Sequence, residues 1–251
     1  MISIKLEGGL GNQLFQQSFL WAYAKKHNLD YCVYTKVNNP HIYDQSVNIN
    51  AYRFPGINYC DDEPLLPVFN EPSFEYAEIP RMDNVCFKGY WQSWKYFDEY
   101  REELLNVFGF DDIKTEKESC SIHIRRTDYL LYKDYHPVVG LDYLSPAINR
   151  ILDINPKLKF KIFSDDIEWC KKNIPGIYGE IVKYSEGKTE LEDLREMASC
   201  EHCITANSTF SAWAAYINPN PDKIVIQPKI WFGSALNHTT SDLYLPNSII
   251  I

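Results

Sequence analysis

The sequence predicts an α/β protein of two lobes, and two observations carry that prediction. Residues 2–6 alternate apolar and polar side chains before a glycine turn and an apolar helical stripe. A second alternation at residues 121–125 begins a helix–strand order that repeats to residue 226. Between them, Pro40, Pro55, Pro64, Pro67, Pro72 and Pro80 break the chain into short aromatic pieces that exclude a long helix. The division expected is 1–113 and 114–251, with the mixed charges of residues 111–119 as an exposed crossover.

In chain order, the strand at 2–6 turns through Gly8-Gly9-Leu10-Gly11-Asn12 into a helix carrying Phe15, Phe19 and Ala22 on one stripe, and 29–34 is a second strand. Strand, helix, strand makes a parallel pair. Residues 85–90 suit a strand and 98–108 a helix. In the second half Leu144, Ile148, Ile151 and Leu152 form a helix stripe, 160–163 a strand and 167–173 a short helix. Strands near 181–182, 203–205 and 224–226 then alternate with helices built on Leu191, Leu194 and Ala198 and on Phe210, Trp213, Ala214 and Ile217. This is the order of a doubly wound sheet, whose ligands lie at the carboxyl ends of its strands.

Composition narrows the partners. The 251 residues carry 25 Lys and Arg against 34 Asp and Glu, a net charge of −9 that repels a nucleic-acid backbone. A few arginines in a cleft can still reverse the field locally. The first residues lack a signal peptide's basic start and apolar run, and no stretch approaches the ~20 apolar residues of a membrane span, so the cytoplasm is the expected location. Seven cysteines, an odd and scattered set, argue against a disulfide scaffold. Cys200 and Cys203 have no second pair to complete a zinc site, so reduced thiols and no metal are expected.

Three segments at strand exits carry the candidate chemistry. His123-Ile124-Arg125-Arg126-Thr127-Asp128 places two permanent charges where a strand ends, each a rigid fork of donors for the oxygens of a diphosphate; a buried ion network is the structural alternative. Arg126 can face either the cleft or Asp128. Asn207-Ser208-Thr209-Phe210 opens a helix with hydroxyls and unpaired amides, a seat for an anion or a simple cap. Asp165 and Asp166 end a strand and can accept from a ribose or a base, or cap the helix that follows; Asp193 stands between a nucleoside contact and a wet helix face. The Gly8–Gln13 turn is neither GxGxxG nor a P-loop. Gly9 and Gly11 let backbone approach a ligand, while the amides of Asn12 and Gln13 can meet sugar hydroxyls. Asp128, Asp134, His136 and His123 all remain candidates for a general base, although the arginines weaken Asp128 in that role.

Taken together, these segments resemble the bacterial α-1,2-fucosyltransferases of glycosyltransferase family 11. The matching pieces are Gly8-Gly9-Leu10-Gly11-Asn12-Gln13-Leu14-Phe15-Gln16, residues 123–129, 163–169 and 207–211, and Pro228-Lys229-Ile230-Trp231-Phe232, in family order. The resemblance implies a GT-B-like fold of two Rossmann-like lobes facing across a cleft, with the acceptor mostly on lobe 1–113 and GDP-fucose mostly on lobe 114–251. It implies an inverting, metal-independent transfer of fucose to the 2-hydroxyl of a galactoside, in a glycan or lipid-linked oligosaccharide of surface polysaccharide or O-antigen synthesis. The enzyme would have no cofactor beyond its donor substrate and would work at, without spanning, the inner face of the membrane. By resemblance Arg125 contacts the diphosphate with His123 and Arg126 in support. Asp193, Asp165 and Asp166 serve the nucleoside, and Asn207, Ser208, Thr209 and Phe210 close around the phosphates. The glycine turn, with Gly9 and Gly11, lines the reaction centre together with Asn12 and Gln13, and the catalytic set expected is Arg125, Arg126, Asp128 and Asn12. A transferase using another GDP-sugar and a non-catalytic sugar-nucleotide binder are the competing readings. Thr127 stands where the family commonly has glycine, and the run after Ser211 carries fewer tryptophans, departures that bear on the acceptor more than on the donor.

Overall fold

The computed structural model describes residues 1–38, 51–63, 65–174 and 181–251; Pro40 and Pro64, two of the expected breakers, lie outside them. The chain forms two compact units, Met1–Asp112 with Thr239–Leu243, and Ile113–His238 with Tyr244–Ile251.

In the first unit, β1 (Ile2–Glu7) is the centre of a wholly parallel sheet, and its two faces are covered, which is why Ser3 is as buried as its Ile and Leu neighbours. The sheet order is β3-β2-β1-β5-β4, with β2 Tyr31–Asn38, β3 Tyr59–Cys60, β4 Val68–Asn70 and β5 Cys86–Lys88. Gly8 takes φ +80°, a conformation other residues resist, and turns the chain from β1 into α1 (Leu10–His27). That helix is buried along almost its whole length to Ala24, and it ends on Asn28 in the left-handed conformation. The helix expected at 98–108 begins as a tight 3-10 turn at Asp98–Tyr100 before α2 (Arg101–Phe108).

One expectation is corrected here. Cys32 on β2 and Cys60 on β3 are joined as a disulfide, their Cα atoms 5.7 Å apart across neighbouring strands, while Cys86, Cys120, Cys170, Cys200 and Cys203 are buried free thiols. A spacing of 28 residues hides a pair that only strand pairing brings together.

The second unit holds the other parallel sheet, ordered β11-β10-β9-β6-β7-β8. Its strands are β6 Glu116–Ile124, β7 Lys159–Ser164, β8 Val182–Tyr184, β9 Cys200–Ile204, β10 Val225–Gln227 and β11 Ile249–Ile250. The helices are α3 Thr127–Leu131, α4 Leu141–Ile154, α5 Ile167–Asn173, α6 Glu190–Ser199 and α7 Thr209–Ile217. Ile122, Ile124, Phe160, Ile162 and Ile204 from the sheet pack with Leu144, Ile148 and Ile151 of α4 into one core. β6 starts earlier than its alternation implies: Glu116, Lys117 and Glu118 are exposed, and Lys161 and Glu201 hold them, through the Glu116 carboxylate, the Lys117 ammonium and the Glu118 N–H. Among the described residues no helix is long and apolar enough to cross a membrane.

Candidate functional site

Strands β9, β6, β7 and β8 are neighbours in that order, so the residues leaving their carboxyl ends line one edge of the second unit's sheet. At about 4.8 Å per strand that edge spans roughly 14 Å. It contains the Ser208 turn after β9, Arg125 after β6, Asp165 after β7 and Ser185 after β8.

Arg125 is fixed by two carboxylates through its Nε, Asp128 at 2.9 Å and Asp165 at 3.2 Å, with its side chain 36% exposed. Burial works against its charge, but the two acids prevail and hold the guanidinium more firmly protonated than usual. Arg126 takes neither course open to it from sequence. Its Nε meets Asp166 at 3.0 Å, its guanidinium carbon lies over the Trp169 ring, and only 13% of its side chain is exposed. Asp165 also accepts from the backbone N–H of Arg126 and Thr127 and from the Thr127 hydroxyl, so it fixes the start of α3. Asp166 caps α5 by accepting from the Trp169 N–H. Both acids thus serve first to set the Arg125-Arg126 exit.

His123 is fully enclosed with its ring edge-on to Phe210, centroids 5.4 Å apart. Burial, aided by the positive Arg125, pushes its pKa down to about 3, so the imidazole is neutral at ordinary pH; its buried Nδ1 has no hydrogen-bond partner among the described residues. Such a group offers a hydrogen bond rather than a charge, and it is a poor proton acceptor.

Tyr129 ties the two strand exits together. Its hydroxyl donates to the Asn207 carbonyl at 3.0 Å and also bonds the Ser208 side chain, while its ring lies 5.9 Å from the Arg125 guanidinium carbon and stacks on His136. The Arg125 region and the Ser208 turn are therefore neighbours. Ser208 occupies the N-cap position of α7 without a side-chain bond to the helix amides, so capping does not use its hydroxyl. The Asn207 amide nitrogen donates to the Pro137 and Trp231 carbonyls, which clamps the segment after α3 to the Pro228–Phe232 motif. A Cβ at Gly233 would strike the Asp134 carbonyl, so glycine is required where residues 134–135 lie on 233–235. Among the base candidates, Asp128 is ion-paired and His123 neutral and enclosed. Asp134 is exposed on the loop, and His136 packs between Tyr129 and Phe232.

At the far end of the edge, Asp193 in the first turn of α6 accepts from the Ser185 hydroxyl at 2.6 Å, and burial raises its pKa. Among the described residues no group of three or more His, Cys, Asp and Glu gathers to hold a metal.

In the first unit the Gly8 turn stands at the carboxyl end of the central strand. Gly9 is exposed with open space where a Cβ would be, whereas Gly11 is buried in the first turn of α1. Gln13 is buried, donating to the Gly8 carbonyl and accepting from the Tyr52 N–H, which removes it from the sugar-binding role expected of its amide. Gln16 similarly brackets the Glu7 backbone. Asn12 is half-buried, with its Oδ1 accepting from Gln92 Nε2 at 2.9 Å, a partner nothing in the local sequence announces.

Comparison with known proteins bears on the family and the fold. Residues 67–251 match the family model described as glycosyl transferase family 11. An alpha-1,2-colitosyltransferase of Escherichia coli is 29% identical, with 92% of each chain covered. The O-antigen biosynthesis glycosyltransferase WbnK of the same organism is 26% identical, covering 96% of this chain and 98% of its own. Among solved structures, the fucosyltransferase NodZ from Bradyrhizobium aligns with a TM-score of 0.55 at 14% identity, over 87% of this chain and 93% of its own. That likeness bears on fold, and it accords with two parallel-sheet α/β units of the GT-B-like kind.

Proposed function

The chain belongs to glycosyl transferase family 11, and we propose that it transfers fucose from GDP-fucose to the 2-hydroxyl of a terminal galactoside, with inversion and without a metal, in surface polysaccharide or O-antigen synthesis. The observation that carries the reading is the Arg125 fork, held through Nε by Asp128 and Asp165 beside the hydroxyl-rich start of α7. In the transfer, the acceptor oxygen bonds to the anomeric carbon as the bond from that carbon to the diphosphate breaks, and GDP leaves with the electron pair. Arg125, with the amides and hydroxyls of Ser208 and Thr209, neutralises the charge that develops on the departing oxygens. Neutral His123 supports them with a hydrogen bond, and Asp193 accepts from the nucleoside. Arg126, Asp165 and Asp166 keep the fork in place. Asn12 and the Gly9–Gly11 backbone face the acceptor. The proton goes to a base that this reading leaves among the candidates above.

A second donor, GDP-colitose, is favoured by the relative named for colitose. Colitose lacks only the 3-hydroxyl of fucose, so both fit one inverting mechanism. The test is product detection with GDP-fucose, GDP-colitose and GDP-mannose against a panel of terminal β-galactosides, the linkage being assigned by NMR. Transfer from GDP-fucose to O2 is expected. Transfer from GDP-mannose but not GDP-fucose, or a product linked through another hydroxyl, overturns the proposal.

A further inference from the structure

Glu71, which no sequence motif singles out, follows β4 directly and stands beside the turn that leaves its partner strand β5. Its carboxylate accepts from two successive backbone amides of that turn, Tyr90 N–H at Oε2 (2.8 Å) and Trp91 N–H at Oε1 (2.9 Å). The turn is one a chain does not adopt unaided: Gly89 has φ +151° and Trp91 φ +55°. A Cβ at Gly89 would run into the Glu71 side chain, so glycine and carboxylate fit as a pair. Beyond the turn, Trp91 is fully buried and stacks on Phe19 of α1, centroids 3.8 Å apart, and Gln92 reaches Asn12 at the Gly8 turn. Gln92 donates to Asn12 Oδ1, and the other end of that amide, the nitrogen, lies where a Cβ on Gly8 would stand.

We propose that Glu71 is the positioning residue of the acceptor side, holding the 89–92 turn so that Gln92 fixes the rotamer and amide sense of Asn12 for a neutral, hydroxyl-bearing sugar. The proposal rests on the reading of Asn12 as an acceptor contact. Burial raises the Glu71 pKa even though both amides favour the charged form, as expected for a carboxylate kept from water to hold backbone.

The test compares Glu71→Gln, Gln92→Ala, the double variant and Asn12→Ala. The readouts are kcat and KM for lactose and N-acetyllactosamine, KM for GDP-fucose, GDP affinity by calorimetry, and GDP-fucose hydrolysis without acceptor. Glu71→Gln keeps the shape but turns an amide N–H toward backbone N–H groups. It is expected to raise the acceptor KM about ten-fold, the scale of one lost hydrogen bond, and to leave GDP affinity and donor hydrolysis within about two-fold. Gln92→Ala should reproduce that split, and the double variant should be no worse than the more impaired single one. Equal losses on the donor side, additive effects in the double variant, or an unchanged acceptor KM in Glu71→Gln overturn the assignment of Glu71. An unchanged acceptor KM in Asn12→Ala overturns the acceptor reading itself, and the proposal with it.

Discussion

The guanidinium carbon of Arg126 sits over the indole of Trp169, 3.8 Å from the ring centroid, while Nε binds Asp166 at 3.0 Å. A charge held this way fastens the β6 exit to α5 and is not presented to a ligand. Arg126→Ala is therefore expected to destabilise the protein by about 2–4 kcal/mol, because it leaves Asp166 without its partner and Trp169 uncovered. Thermal unfolding checks this; a variant with wild-type melting and lost activity would place Arg126 at the ligand instead.

Arg125 should behave in the opposite way. Its fork is more exposed and two acids orient it, so Arg125→Ala is expected to reduce kcat about 10²–10³-fold, the usual cost of removing one donor that steadies a departing anion. Its melting temperature should stay close to wild type. Steady-state kinetics with unfolding curves for both arginine variants decide between the roles, and near-wild-type turnover in Arg125→Ala would remove the mechanism's main support.

Asp242 gives a prediction for pH. It is buried and accepts from the Tyr76 N–H, the Ser93 hydroxyl and the Lys95 ammonium at 2.7, 3.1 and 2.5 Å. Burial opposes its charge, but Lys95 and the other two donors prevail, and the carboxyl titrates below its ordinary 3.8. The unfolded chain therefore binds this proton more readily, so the contribution to stability is full above pH 3.8 and disappears as pH falls through the depressed folded value. Asp242→Asn should cost about 2–3 kcal/mol at neutral pH, with the gap from wild type closing under acid. Urea titrations at pH 7 and pH 3 measure it; a gap that does not change with pH would contradict the assignment.

What the sequence makes legible follows from range. The β1 alternation and the 167–173 stripe are local patterns, and both elements form where the pattern puts them. The candidate phosphate-binding segments are legible for a related reason, since each follows directly on a strand. Their partners are not local. Asp166 meets Arg126 across 40 residues, Gln92 meets Asn12 across 80, and Asp242 meets Lys95 across 147. Residue type also misleads once burial is unknown: Gln13 has the amide a sugar site needs, and the fold uses it to tie the Gly8 carbonyl to the Tyr52 N–H.

Thr239–Leu243 groups with Met1–Asp112 although the residues on both sides of it belong to the other unit. No single cut in the gene can then yield either half intact. A fragment ending at residue 112 would leave Lys95 and Ser93 without the carboxylate they bind, and a chimaera that exchanges halves between relatives needs the short return segment grafted along with the amino-terminal piece.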